Sequence, residues 1–327
     1  MSAAQLQPST FTQEVAAYLR YHRALGLRYQ GVEYVLLPLG RYLAQNNAQD
    51  LDGPLYEGWR RAQVGLHSNS RRKAEQIVRK FCLYRRRTNP VFFVPSADAF
   101  SRLRPYVRPV IVEPEQIVRM LAATDQLAPH KTSPLHPVVA RIATVLLYTT
   151  GLRSGEVRRL RVEDVEDNGS VLRICEFKFH KSRRVPLSES TQVEVQRYLR
   201  CRATFATDSP DQGPFLCNRS RGAIRPYSAS GFKCLIHRLF KLAAVVDDEG
   251  RVPRVHDLRH SFAVQVLIRT YRNHGDPQAL LPKLALYLGH VSIESTIHYL
   301  KLVPAVARLA SSRFEAAFGR HVLGEPL

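Results

Sequence analysis

The sequence predicts a mostly α-helical protein with a small antiparallel β-sheet in its second domain, an α+β fold in two domains. Apolar residues recur at helical spacing over residues 10–88, and prolines interrupt that pattern over residues 89–112. One strand–turn–strand signal follows at residues 171–187, in a second part that is otherwise helical. A chain of 327 residues is long enough for two domains, each with its own core.

The charge balance favours a polyanionic partner. Lysine and arginine total 48 against 28 acidic residues, for a formal net charge of +20. An anionic membrane fits less well, because the chain has no lipid motif and no amphipathic anchor. No apolar run reaches the length of a membrane span, and the first ten residues lack a signal-peptide pattern, so we expect a cytoplasmic protein without membrane partners. If the polyanion is DNA, the protein is expected to be nucleoid-associated when bound to it. The five cysteines form no C-x-x-C pair, which favours free thiols over a disulfide frame or a zinc knuckle.

The first domain, residues 1–88, is predicted to be helical and to bind DNA. Phe11 and Val15 begin an apolar helix face, and the clearest helix covers residues 69–87. There an apolar face is surrounded by cations, with Glu75 as the only acid. Solvated faces usually mix both signs, so this helix is a candidate for the DNA backbone, the alternative being a merely soluble face. The candidate residues are Arg71, Arg72, Lys73, Arg79, Lys80, Arg85, Arg86 and Arg87.

Residues 89–112 are predicted to form a linker. Pro90, Pro95 and Pro105 lie in this stretch, and proline excludes helix and stiffens an extended chain. The linker separates the first domain from a second domain at residues 113–327.

The second domain is expected to begin with a helix, because Pro114 suits a first helical position. Residues 138–148 form a strongly apolar helix that Gly151 should end. Apolar residues at helical spacing over residues 304–319 predict a C-terminal helix, which packs either on its own domain or on a neighbouring protomer.

The main strand signals are residues 171–179 and 184–187. Residues 180–183 lie between them as a predicted hairpin turn. We expect the rest of the second domain to be helical.

Two arginines are candidates for binding a phosphodiester. Arg153 and Arg259 each follow a helix-boundary signal, Gly151 for the first and Pro253 for the second. A guanidinium meets two phosphate oxygens with parallel hydrogen bonds and stays protonated in any site. A surface salt bridge is the plain alternative for either arginine taken alone.

Histidines accompany the second arginine. His256 lies three residues before Arg259, so both fall on one helix face, and an imidazole there can donate to a phosphate oxygen or accept a nucleophile's proton. His256 and His260 also stand at the spacing of two metal ligands. Asp257 occupies the position where the zinc-helix pattern has glutamate, and no third-ligand motif follows, so no metal and no cofactor are expected.

Tyr299 is the candidate nucleophile, with His290 nine positions before it. A phenol has an ordinary pKa of about 10, so it needs neighbouring cations or a base to act near neutrality. The sugar oxygen that leaves needs a proton, which a lysine of the predicted hairpin, Lys178 or Lys181, can supply.

Four segments together resemble the tyrosine recombinases of the phage-integrase family. They are residues 150–156 (TGLRSGE), 178–187 (KFHKSRRVPL), 256–263 (HDLRHSFA) and 288–299 (LGHVSIESTIHY). Their order, spacing and local sequence agree with the family over roughly residues 113–305. The first domain is similar only in size, helicity and charge.

The resemblance implies a role for each matched residue. Arg153 and Arg259 correspond to the arginines that clamp the scissile phosphate, and His256 to the general base or phosphate donor. His290 corresponds to the second histidine and Tyr299 to the nucleophile. The remaining matches are Lys178 as the general acid with Lys181 as the alternate, and Glu156 as an acid that orients the arginine region. His260, which follows Arg259, is a supporting or alternate residue of the site.

The resemblance further implies a site-specific DNA recombinase or integrase of a mobile element. Such an enzyme cuts and rejoins strands through a 3′-phosphotyrosyl link without metal or ATP. Its two domains close on the duplex as a clamp, and four protomers act on two duplexes, with partner recombinases or accessory proteins in some systems. The alternatives are a type IB topoisomerase, which reseals the same strand, a catalytically silent DNA-binding regulator, and a metallohydrolase built on His256 and His260.

Overall fold

The computed structural model describes residues 10–105, 107–129, 133–175, 182–205, 212–220, 223–273 and 275–289. The chain divides into two compact units, Met1–Val107 and Arg108–Leu327. Both units are mainly helical, and the second contains small antiparallel sheets, so the predicted fold class is confirmed. No helix in the described residues is both long and apolar enough to cross a membrane.

The described residues of the first unit, 10–105 and 107, contain four helices. They are α1 (Thr10–Ala24), α2 (Gln30–Gln45), α3 (Gly53–Ala62) and α4 (Ser68–Arg85). Their apolar faces share one core in which the Phe11 and Phe81 rings meet edge to face at 5.4 Å. Asp52 caps α3 by accepting a hydrogen bond from the Leu55 amide at 2.8 Å.

Arg85 belongs to this core, although its position in a basic run suggested a solvent-facing residue. Its side chain is 3% exposed and lies 2.7 Å from Asp50 and 2.6 Å from Glu14. The guanidinium also stands 4.0 Å from the centroid of the Phe92 ring. The prediction that Arg85 contacts DNA is therefore wrong, because the buried cation is held by two carboxylates and an aromatic ring.

The chain after α4 runs back along that helix. Arg72, Arg79 and Arg86 donate to the carbonyls of Ser101, Pro95 and Pro90 respectively. The buried carboxylate of Glu75 accepts from the Ser101 amide at 2.7 Å and from the Ser101 hydroxyl at 2.8 Å. Residues of the segment 89–105, within the stretch predicted as a linker, are thus hydrogen-bonded to α4 and belong to the first unit.

The exposed cations of α4 lie on one stripe. Lys73 and Lys80 are exposed and seven residues apart, which places them on the same helix face, and exposed Arg87 lies just beyond the end of the helix. These three residues, with half-buried Arg71, remain candidates for DNA contact. Arg72, Arg79 and Arg86 also remain candidates, although each already binds a carbonyl.

The second unit is built around α6. Its helices are α5 (Pro114–Ala123), α6 (His136–Thr150), α7 (Ser154–Arg159), α8 (Glu189–Phe205), α9 (Ala229–Leu242), α10 (Asp257–Arg272) and α11 (Pro277–Leu288). The central helix α6 is buried along most of its length and packs against α5, α7, α8, α9 and α10. Pro114 opens α5 and Gly151 ends α6, as predicted.

The larger sheet of the second unit has the order β1–β2–β3. Its antiparallel strands are β1 (Val165–Glu166), β2 (Val171–Cys175) and β3 (Ser182–Pro186). The prediction of a turn at residues 180–183 is wrong for its last two positions: Ser182 pairs with Cys175, and Arg183 pairs with Ile174. Residues 176–181 lie outside the described residues.

A second hairpin was not predicted. Strands β4 (Cys217–Ser220) and β5 (Ala223–Pro226) pair antiparallel in a region expected to be helical. These strands are short and polar, so they lack the alternating apolar pattern that would identify them in a sequence.

Arg85→Ala should destabilise the first unit by about 3 kcal/mol, because it leaves two carboxylates without their buried cation. Trp59 is the single tryptophan of the chain and lies in the first unit's core, so its fluorescence during urea unfolding reports on that unit. Arg87→Ala removes an exposed arginine two positions away and should change stability by about 0.5 kcal/mol or less. Equal losses in the two variants would contradict the structural role of Arg85.

Candidate active site

The corner between α6 and α7 presents Arg153. Gly151 ends α6 in the left-handed conformation, with φ of 61°, and Leu152 is buried. Arg153 then has an extended backbone and is the residue that precedes α7. Its side chain is 37% exposed. The corner therefore places the Arg153 guanidinium at the protein surface, while the preceding residue, Leu152, is buried.

Glu156 is the carboxylate that orients this arginine. It is 4% exposed and accepts from the Arg153 amide at 2.8 Å and from the Arg153 guanidinium at 2.9 Å. Arg183 donates to both of its oxygens, at 3.2 and 2.9 Å. Burial alone would raise the pKa of Glu156, but the hydrogen bonds and charge of Arg183, followed by those of Arg153, outweigh it and leave the pKa below its ordinary value.

Three guanidinium groups bind the carbonyl end of α11. Arg153 donates to the Gly289 carbonyl at 2.8 Å, and Arg259 donates to the Leu288 carbonyl at 2.8 Å. Arg183 donates to the Tyr287 carbonyl at 3.0 Å. The last carbonyls of a helix lack partners within it and carry the negative end of its dipole, so cations are stabilised there.

Arg259 lies deeper than Arg153. It is in the first turn of α10, as predicted, and is 1% exposed. A second hydrogen bond of 2.8 Å joins its guanidinium to the Gly151 carbonyl. The two arginines are thus brought together through one corner and one helix end, although their positions in the sequence are far apart.

His256 and His260 meet at the start of α10. Their rings are 4.7 Å apart and nearly perpendicular. His256 reaches the surface, yet the protein around it desolvates the ring, and this together with the charge of Arg259 lowers its pKa. Burial and then the charge of His256 lower the pKa of His260 to about 4. Both imidazoles are therefore neutral at neutral pH.

Across the parts of the chain that the structure describes, no group of three or more histidine, cysteine, aspartate or glutamate residues could hold a metal ion. The histidine pair stands without a third ligand in that set. Asp257, between the two histidines, is buried and paired with Arg254 at 2.8 Å.

A cavity of about 340 Å³ adjoins His256. Apolar Phe232 and Val255 line it, together with the cationic residues Lys233 and Arg254. His237 also lines it, and the Nε2 atom of that ring is buried with no hydrogen-bond partner in the part of the chain that the structure describes. Cationic and apolar side chains that line one cavity next to His256 suit the sugar–phosphate backbone of a nucleic acid.

The predicted site residues divide into two groups. The structure brings together Arg153, Glu156, His256, Arg259 and His260. The other predicted residues, Lys178, Lys181, His290 and Tyr299, lie outside the described residues, as do residues 304–319.

Arg183 is the site residue that sequence reasoning missed. A signal for it was present, because alternate residues of a strand share a face, and Arg183 is two residues from Val185 and four from Leu187. Both of those residues are buried. The period of two thus places Arg183 on the inner face of β3 and Arg184 on the outer face.

Known proteins match the chain over most of its length. The model of the phage integrase family matches residues 111–305. A protein of Sinorhizobium fredii (strain NBRC 101917 / NGR234) named as an integrase/recombinase, y4rB, is 32% identical over 317 residues, which cover 94% of this chain and 98% of the relative. The chain belongs to the phage integrase family. It is a tyrosine site-specific recombinase.

Other relatives agree with this assignment. Tyrosine recombinase XerD of Xanthomonas axonopodis pv. citri (strain 306) is 34% identical over 197 residues, which cover 58% of each chain. Two solved structures share the fold at 18% identity and a TM-score of 0.60. XerH recombinase bound to palindromic difH substrate covers 86% of this chain and 78% of its own. The Tn1549 transposon integrase with a circular intermediate DNA covers 88% and 93%.

The family resemblance read from the sequence is therefore confirmed for this recombinase. The matched range, residues 111–305, contains every residue to which a catalytic role was assigned. The roles of the individual residues, the tetramer and the domain boundaries stay predictions.

Gly151→Ala should destabilise the recombinase by about 2–4 kcal/mol, because a Cβ there is strained at positive φ and would overlap the Phe262 ring. Gly250 also has positive φ, at 74°, but has open space around its Cα. Gly250→Ala should therefore cost only the backbone strain, about 1 kcal/mol. Denaturant unfolding followed by circular dichroism measures both variants, and equal losses would show that the packing at Gly151 is unimportant.

Proposed function

We propose that this recombinase cleaves DNA by attack of the Tyr299 hydroxyl on a phosphate bound at the Arg153–Glu156 corner. The observation that carries the proposal is the convergence of Arg153 and Arg259 on the end of α11, two residues before His290 in the sequence. Burial lowers the pKa of His256, and the ring lies close enough to both arginines for their charges to lower that pKa further. A phosphodiester repels nucleophiles through its negative charge, and the transition state adds charge to the non-bridging oxygens. Fixed guanidinium groups reduce the repulsion of the nucleophile and stabilise the charge added in the transition state.

Arg153 is the residue that reaches the phosphate first, because its guanidinium is partly exposed. Glu156 and the Gly289 carbonyl hold that guanidinium in place, so little reorganisation is needed when the phosphate arrives. Arg259 adds positive charge from below the surface, where screening is weaker. Because Arg259 is buried, a direct contact between its guanidinium and the phosphate requires the residues that cover it to move when DNA binds.

His256 is suited to accept the phenolic proton. Its lowered pKa keeps the imidazole neutral at neutral pH, and a neutral imidazole has a nitrogen lone pair to accept a proton. Attack by the Tyr299 oxygen forms the bond to phosphorus and breaks the bond to the 5′ sugar oxygen. Lys178, or Lys181 in its place, gives that leaving oxygen a proton. The phosphotyrosyl ester keeps the energy of the broken bond, so a partner strand's 5′-hydroxyl can reverse the link without ATP.

Double-stranded DNA is the proposed substrate. The net charge of +20, the stripe formed by Lys73, Lys80 and Arg87, and the cationic cavity beside His256 all support a polyanion. The solved structures of XerH and of the Tn1549 integrase are both complexes with DNA. Four protomers on two duplexes follow from the need for two strand exchanges. Accessory proteins and a cytoplasmic, nucleoid-associated location stay predictions.

Tyr299→Phe should bind DNA normally but form no covalent adduct, because the substitution removes only the attacking oxygen. The measurement uses a nicked duplex that loses its 5′-hydroxyl fragment after cleavage, so that the phosphotyrosyl link accumulates. Mass spectrometry of the trapped peptide should place the link on Tyr299 in the unmodified protein.

Tyr287→Phe is the matched control. Tyr287 lies on α11 close to the arginines, but burial raises its pKa to about 12, which makes it a poor nucleophile. This variant should form the adduct. A link mapped to another residue, or an adduct in Tyr299→Phe, would refute the assignment. A protein that binds DNA without any adduct would be the silent regulator, and supercoil relaxation without two-site recombination would indicate a topoisomerase.

A further inference from the structure

Arg183 connects three parts of the second unit. Its guanidinium contacts both oxygens of Glu156, on α7, and the Tyr287 carbonyl, on α11, while its backbone pairs with Ile174 in the sheet. The side chain is 16% exposed. Its neighbour Arg184 is 63% exposed and forms ion pairs with Glu166 and Asp167. Two adjacent arginines of one strand thus have different surroundings.

Arg183 shares the Glu156 carboxylate with Arg153, so its presence affects the position and the charge of the Arg153 guanidinium. A buried carboxylate attracts any nearby cation strongly, because little water screens it. With Arg183 present, Glu156 shares its charge between two guanidinium groups and is satisfied at both oxygens. Without Arg183, Arg153 becomes the only cation among the described residues that is bonded to that carboxylate.

The net charge of the cluster formed by Arg153, Glu156 and Arg183 also depends on Arg183. Two arginines and one glutamate carry a net charge of +1, whereas Arg153 and Glu156 alone carry none. Without Arg183, the phosphate would meet an Arg153 guanidinium whose charge is neutralised by Glu156 and which is drawn toward α7. Binding of the whole duplex would change little, since one local charge is a small part of a wide electrostatic footprint.

We propose that Arg183 is a positioning residue for cleavage, which offsets the charge of Glu156 so that Arg153 keeps its place and its positive charge for the scissile phosphate. The inference rests on the proposed function of Arg153. It concerns the strand that follows the hairpin lysines, and it assigns Arg183 a task separate from proton donation by those lysines.

Arg183→Met tests this role, because methionine keeps much of the side-chain length and removes the charge. We expect adduct formation on the nicked duplex to slow by roughly 10- to 100-fold. The affinity for the duplex should stay within about twofold. Arg183→Lys keeps the charge with a single donor group and should give an intermediate rate. Arg184→Met removes an exposed arginine from the same strand and should cleave at the normal rate.

Charge compensation distinguishes this role from simple support of the fold. In the double variant Arg183→Met/Glu156→Gln, the carboxylate charge that draws on Arg153 is gone, while an amide oxygen can still accept its hydrogen bond. The double variant should therefore cleave faster than Arg183→Met alone. A purely structural role for Arg183 predicts that the second substitution brings no gain, and that result would overturn the proposal.

A substrate with sulfur at the 5′-bridging position separates the arginine from the hairpin lysines. Sulfur leaves without a proton, so this substrate restores a variant whose only defect is in the general acid. Arg183→Met should stay slow on it. Full restoration would show that Arg183 acts through the lysines, and an unchanged rate on the ordinary substrate would show that it has no role. Failure of the unmodified protein to form a Tyr299 adduct would instead refute the proposed function.

Discussion

The binding of three arginines to the carbonyl end of α11 is the interaction on which the described site depends. Arg153, Arg183 and Arg259 come from three separate elements, and each donates to one of the last carbonyls of that helix or the residue after it. A helix end buried without partners would be costly, and guanidinium groups crowded together would repel one another. The carbonyls accept hydrogen bonds from the guanidinium groups, and the Glu156 carboxylate offsets part of the positive charge. The arginines proposed to act on the phosphate therefore also stabilise the fold.

This arrangement makes small residues near the arginines important. Gly151 and Gly289 both adopt left-handed conformations, and both offer carbonyls to the arginines. The apolar cluster between α10 and α11, which includes Leu267, Leu284 and Leu288, sets the distance between Arg259 and the helix end. The chemistry of the site therefore rests on ordinary packing as much as on charged residues, since a shift of α11 would break the hydrogen bonds of three arginines together.

The sequence predicted most of this site because its motifs are local. Residues 150–156 and 256–263 each combine a helix boundary with an arginine, and both boundaries stand where they were expected. One error came from charge. Arg85 follows Val78 and Phe81 at helical spacing on a buried face, but its charge suggested solvent. The period of two with Val185 and Leu187 indicates only that Arg183 faces inward. It does not identify its partners, Glu156 and the Tyr287 carbonyl, because both are distant in the chain.

The most direct test of the account uses a substrate whose scissile phosphate is replaced by a methylphosphonate, which is neutral. If Arg153 works by opposing phosphate charge, Arg153→Ala should cleave the ordinary substrate far more slowly than the unmodified recombinase does, while the two proteins should cleave the neutral substrate at similar rates. An equal deficit of Arg153→Ala on both substrates would contradict the account, because the arginine would then serve only to hold the surrounding structure.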